Sequence, residues 1–95
     1  MAKYEVIIIG GGPAGLTAGL YTSRAGLKSL LVERRMIGGQ IINAAIVENY
    51  PGFPQGISGA ELASLMNQQA VKYGLGTVAT EVTGITGQKT YSIST

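Results

Sequence analysis

Gly10-Gly11-Gly12-Pro13-Ala14-Gly15 constrains the fold of this chain more than any other segment. It has the spacing G-x-G-x-x-G, a weak pattern alone and a strong one when a strand precedes it and a helix follows. Both conditions are met. Tyr4 to Ile9 is an apolar run without polar alternation, as in a parallel strand covered on both faces. Pro13 suits a first helical position and Gly26 a helix stop, so residues 13–25 read as a helix with Leu16, Leu20 and Ser23 on one face. Ser29 to Glu33 reads as a second buried strand, and the three segments make a βαβ unit of about thirty residues. In such a unit Gly10 permits a tight turn, Gly12 lets backbone approach a pyrophosphate, and Gly15 lets the helix lie close on the strand. The helix N-terminus turns unpaired amides and a positive dipole end toward the phosphates. Pro13 has no N–H, so neighbours such as Gly12 and Ala14 must donate.

Glu33 closes the second strand, where an acid hydrogen-bonds ribose hydroxyls. Arg34 and Arg35 follow it directly. An arginine here could receive the 2′-phosphate of NADP, but Glu33 would repel that group, so both read as solvated or adenine-flanking cations. These residues indicate a dinucleotide and leave NAD and FAD open.

Composition narrows the chemistry. The 95 residues contain no Cys, no His and no Asp. Thiol redox chemistry, imidazole acid–base work and the usual zinc sites are therefore excluded from this segment. A bound cofactor or another chain must supply any reactive group. Net charge is +2 without a basic cluster, which leaves no nucleic-acid footprint. No segment approaches the roughly 18 apolar residues that span a bilayer. Glycines and a proline interrupt the N-terminal apolar run, which argues against a secretory leader. The missing cysteines fit a cytoplasmic protein.

The stretch Ile37 to Gly59 has neither helical nor strand period and holds five glycines and two prolines. A loop of this length in a compact domain is usually functional or disordered. Beyond it, Ser58-Gly-Ala-Glu61 is a capping box, predicting reciprocal bonds between the two residues. The helix it opens is expected to reach about Tyr73, with Leu62, Leu65, Met66, Ala70 and Tyr73 on one stripe and Gly74 as its stop. Gly76 to Thr83 reads as a third parallel strand. Two β-like segments follow, about Thr83–Thr86 and Thr90–Ser94, around a turn at Gly87-Gln88. Nothing here supplies a second neighbour for the first strand. The expectation is an incomplete domain, finished by further residues or another chain.

Taken together, YEVIIIGGGPAGLTAGLYTSRAGLKSLLVE, GGQ, ENYPGFP and GISGAEL resemble the amino-terminal FAD-binding segment of the low-molecular-weight thioredoxin reductases, over nearly the whole chain. The resemblance implies an α/β, Rossmann-like, three-layer FAD-binding fold with a parallel sheet and a small β-meander, incomplete here. It implies FAD, with adenosine near Glu33 and the flavin toward the long loop. Gly39 and Gln40 would lie along the ribityl and flavin region with Ile41 adjoining, Asn49 would hydrogen-bond the ring, and backbone at Val82 would approach the adenine. Tyr50, Pro51 and Phe53 would pack the loop against the body.

One departure stands out. Family members often carry threonines between GGQ and ENYPG, where this chain has Ile42, Asn43, Ala44 and Ala45. A backbone contact at Ala45 could survive; a hydroxyl bond could not.

By the same resemblance, residues 1–95 are the amino-terminal portion of the FAD-binding domain. The NADPH-binding domain and the redox CxxC would lie elsewhere. The complete enzyme would pass electrons from NADPH through FAD to a disulfide, with thioredoxin or a similar protein as partner, as a homodimer. This segment would hold cofactor, contribute no catalytic residue and be inactive by itself. A ferredoxin– or flavodoxin–NADP reductase shares the scaffold without the disulfide, and a non-catalytic flavin-binding split subunit or fragment is the reading from another class.

Overall fold

A computed structural model describes residues 2–95. Strand β1 (Val6–Ile9) leads through the glycine turn into helix α1 (Pro13–Arg24), then β2 (Ser29–Glu33). A short 3₁₀ helix (Gly39–Asn43) opens the long connection to helix α2 (Gly59–Val71), which is followed by β3 (Gly76–Ala79), β4 (Gly84–Gly87) and β5 (Tyr91–Ser94). β1, β2 and β3 form a parallel sheet in that order, with Val6 opposite Ser29 and Leu30 opposite Gly76. β4 and β5 pair antiparallel as a hairpin.

Side-chain alternation along β1 divides the molecule into layers. Ile8 packs toward the helices, against a core of Leu16, Leu31, Ala70 and Leu75. Ile7 and Ile9 line a cleft of about 450 Å³ whose opposite wall is the hairpin, through Ile85, Tyr91 and Ile93. The order is therefore helices, parallel sheet, hairpin. Leu16, Leu31 and Leu62 are the largest fully buried side chains, each stabilising by roughly 1.5–3 kcal/mol.

Sequence reading located the elements and missed some of their ends and faces. β3 stops at Ala79, not Thr83, because β2 ends at Glu33 and offers no further ladder partner. Thr80 N still donates to Glu33 O at 3.0 Å before the chain bends away. On α2 the buried face is Leu62, Ala63 and Ala70 with Met66 half-buried, while Leu65 is 47% exposed; the helix ends at Val71, so Tyr73, 42% exposed, lies in the turn beyond it. The cause is that α2 packs chiefly on α1 and the 3₁₀ helix, which covers a narrower stripe than a sheet would. Half of the capping box forms: Glu61 N donates to Ser58 Oγ at 3.1 Å, with no return bond from Ser58 N to the Glu61 carboxylate among the described residues. β1 is an edge strand, β2 being its one neighbour in the sheet, and Ile9 is 49% exposed.

Candidate dinucleotide-binding site

The glycine turn adopts a conformation that its residues alone permit. Gly10 has φ +106°, a region closed to ordinary side chains, and its amide donates to Val32 O at 2.8 Å. A Cβ on Gly15 would fall inside the van der Waals envelope of the Gly10 carbonyl oxygen, so α1 can start this close to β1 only with glycine there. Gly12, by contrast, has ordinary extended backbone, and a Cβ on it would meet nothing within 4 Å. The first turn of α1 has no side-chain cap, no acidic residue, and Pro13 at its start. Its free amides border the open space at Gly12.

Glu33 ties this turn to the end of β2. Its Oε1 accepts from Gly11 N at 3.0 Å and its Oε2 from Arg35 N at 2.8 Å. The bond from the Arg35 amide, then that from Gly11, hold the carboxyl below the usual carboxylate value; partial burial opposes them, and Arg34 adds to them. Each oxygen keeps a lone pair, so the carboxylate can still accept from a ribose hydroxyl.

The long connection lies against the turn. Gly38 N donates to Gly11 O at 2.6 Å, and a Cβ on Gly39 would stand 3.1 Å from the Gly12 Cα. Gly38 has φ +114° and packs on Ala63 of α2. A side chain on Gly39 would therefore crowd the Gly12 backbone. Farther along the stretch, Val47 and Ile57 exchange backbone hydrogen bonds of 2.7 and 3.1 Å, closing the loop between them.

The expected site residues separate into two sets. Gly10, Glu33, Arg34 and Val82 line one cleft of about 220 Å³. Gly39 and Gln40 line a neighbouring cleft of about 300 Å³, which also includes Glu33 and Arg34. Gly12, Pro13, Ala14 and Gly15 form the turn and helix start beside them. Ile41, Ala45 and Asn49 do not line either cleft. The Ile41 carbonyl abuts Gly59, anchoring the 3₁₀ helix on α2. Ala45 is exposed, and Asn49 lies in a separate hollow of the closed loop with Tyr50 and Phe53, whose rings are 6.2 Å apart.

Sequence reasoning missed Thr80 and Glu81 on the cleft wall, and Gly11 and Gly38 as the staple. Only the paired glycines after the arginines hinted at the last.

Glycine turn, Glu33 and the bend after β3 all lie at the carboxyl ends of parallel strands, where open α/β sheets take their ligands. That arrangement is a Rossmann-like α/β fold with its candidate site at the usual end of the sheet. Residues 4–95 match the profile of the pyridine nucleotide-disulphide oxidoreductases, and the chain belongs to that family. It is similar to the thioredoxin reductase of Bacillus subtilis, 56% identical over 71 residues that are 75% of this chain and 22% of that protein. Over 71 residues it is 51% identical to the bifunctional thioredoxin reductase/thioredoxin of Mycobacterium leprae, covering 75% of this chain and 16% of that one. The crystal structure of Lactococcus lactis thioredoxin reductase superposes with a TM-score of 0.86 at 40% identity, over 97% of this chain and 33% of that one. The chain therefore spans about a third or less of the length of these proteins. Among the described residues no helix is long and apolar enough to cross a membrane.

Proposed function

We propose that this chain, residues 1–95, is the amino-terminal part of an FAD-binding domain in a flavin-dependent reductase of the thioredoxin reductase type. The observation that carries the reading is the staple between Gly38 and Gly11, which joins the GGQ segment to the phosphate turn as one backbone cradle. A cofactor with pyrophosphate at one wall and a further ring system along the other suits this cradle; a mononucleotide has no use for the second wall. The open space at Gly12 and the uncapped start of α1 fit a pyrophosphate, bound by the amides of Gly12, Ala14 and Gly15. Glu33 accepts from the ribose while its other bonds hold the turn in place, and Arg34 with Val82 flanks the adenine. Gly39 and Gln40, with Ile41 adjoining, orient the flavin end, and Ala45 and Asn49, which line neither cleft, are assigned to that end by family resemblance. When bound, the flavin supplies two-electron redox chemistry, and the protein's share is binding, orientation and tuning.

The chain itself contains no cysteine. In this reading NADPH and the redox disulfide belong to the complete enzyme, which is a cytoplasmic homodimer with thioredoxin as its partner. The name of the Mycobacterium leprae relative, which joins reductase and thioredoxin, supports that partner.

The test is to incubate the purified protein with excess FAD, remove free ligand and read flavin absorbance and fluorescence. A retained flavin with altered fluorescence is expected. A colourless protein that binds only NAD(P)H overturns the proposal.

A further inference from the structure

The cleft beside the phosphate turn carries an ion pair that cofactor binding does not explain. Arg34 follows β2 and Glu81 lies on the bend after β3, and Arg34 Nη1 stands 4.0 Å from Glu81 Oε1. The two meet because the parallel register sets Glu33 opposite Ala79. Their side chains are 62% and 68% exposed, so the pair adds little to stability. Its position is more informative than its strength. Both residues line the 220 Å³ cleft that also holds Glu33, Gly10 and Val82, and Arg34 is the one cation on that wall.

We propose that Glu81 is a specificity-determining residue: by engaging Arg34 it withholds the guanidinium that would recruit a 2′-phosphate, so the cleft selects an adenosine with a free 2′-hydroxyl. A guanidinium is the side chain best suited to grip a phosphate, through paired charge-assisted hydrogen bonds. Left alone beside a ribose site, Arg34 would favour NADP-type nucleotides. Glu81 offsets part of its charge, and Glu33, kept ionised by two backbone amides, adds a second negative charge facing a 2′-phosphate. The inference rests on the FAD reading and deepens it. FAD carries no 2′-phosphate, and a protein that draws on NADPH elsewhere needs this cleft to refuse it.

The test compares wild type with Glu81→Gln and with the double variant Arg34→Gln/Glu81→Gln. Each is titrated calorimetrically with FAD, 5′-AMP and adenosine 2′,5′-bisphosphate. Glu81→Gln is expected to strengthen the bisphosphate relative to 5′-AMP by about fivefold, the scale of one exposed ion pair. The gain should shrink at high salt and vanish in the double variant. A packing role for Glu81 would move both nucleotides together. If wild type binds FAD and 5′-AMP but the ratio is unchanged in Glu81→Gln, the specificity role falls and the FAD reading stands. If wild type binds none of the three, both fall.

Discussion

Gly12 and Gly15 sit three residues apart in one turn and carry opposite constraints. A side chain on Gly15 meets the Gly10 carbonyl oxygen; one on Gly12 meets open space. Gly15→Ala should therefore destabilise the fold itself, by about 1–3 kcal/mol of overpacking, read as a lowered midpoint in urea. Gly12→Ala should leave that midpoint nearly unchanged and weaken FAD by about tenfold or more, because the methyl occupies the space that a pyrophosphate needs. Equal effects of the two substitutions on stability would contradict the geometry. Glu33 makes a third residue-level statement. Its carboxyl titrates below the ordinary value in the folded chain, so the unfolded chain takes up the proton first as pH falls. Its stabilisation is complete above the ordinary carboxylate range and is lost as pH drops through the lower folded value. Melts at descending pH should show wild type losing stability faster than Glu33→Gln across that window.

Among the elements, the long connection is organised by α2. Ser58 caps the helix, Gly59 N donates to Ala44 O at 2.8 Å, and the Ile41 carbonyl rests against Gly59 with no room for a Cβ. Ser58→Ala should cost about 1 kcal/mol, the usual value of a helix cap, with little change in flavin spectra. Gly59→Ala should do more: it pushes the 3₁₀ helix, and with it Gly39 and Gln40, off the cradle. The expected outcome is weaker FAD binding with altered flavin fluorescence. A spectrum identical to wild type would separate the 3₁₀ helix from the site. The α2 stripe shows what periodicity could not reveal. Leu65 satisfies a helical spacing, yet the packing partner selects Leu62, Ala63 and Ala70, and Tyr73 falls in the turn after Val71. Tyr73 instead lies beneath Arg24 and Lys72, whose charges stand 5.5 and 5.6 Å from its ring.

For the whole molecule, the radius of gyration is 14.3 Å and the principal extents are 45 × 27 × 18 Å. A chain of this length packed as a compact globule would have about 12 Å. The hairpin stands across a cleft from Ile7 and Ile9. In an elongated body with three fully buried large side chains, a ligand joining separate segments should contribute visibly to stability. FAD at a hundred times its dissociation constant should add about 2.7 kcal/mol, read as an upward shift in melting temperature. The free edge of β1 should exchange its amide protons faster than β2, which is paired on both sides.

The sequence by itself determined the βαβ unit, because strand, turn and helix signals there are local: an apolar run, a glycine turn, a proline at a helix start. It also placed Glu33 at its strand end, Gly10 at the tight turn and Gly15 at the close approach of helix to strand. Tertiary structure alone decided how distant segments meet. Parallel register brought Glu81 to Arg34, and α2 carried Gly38 and Gly39 onto Gly11 and Gly12. It also left Asn49 and Ala45 outside the clefts, where a motif reading had grouped them with Gln40. The physical reason is the same in each case. Spacing along a chain specifies backbone conformation over a few residues, whereas proximity across the fold depends on which faces pack, and that is a property of the assembled core.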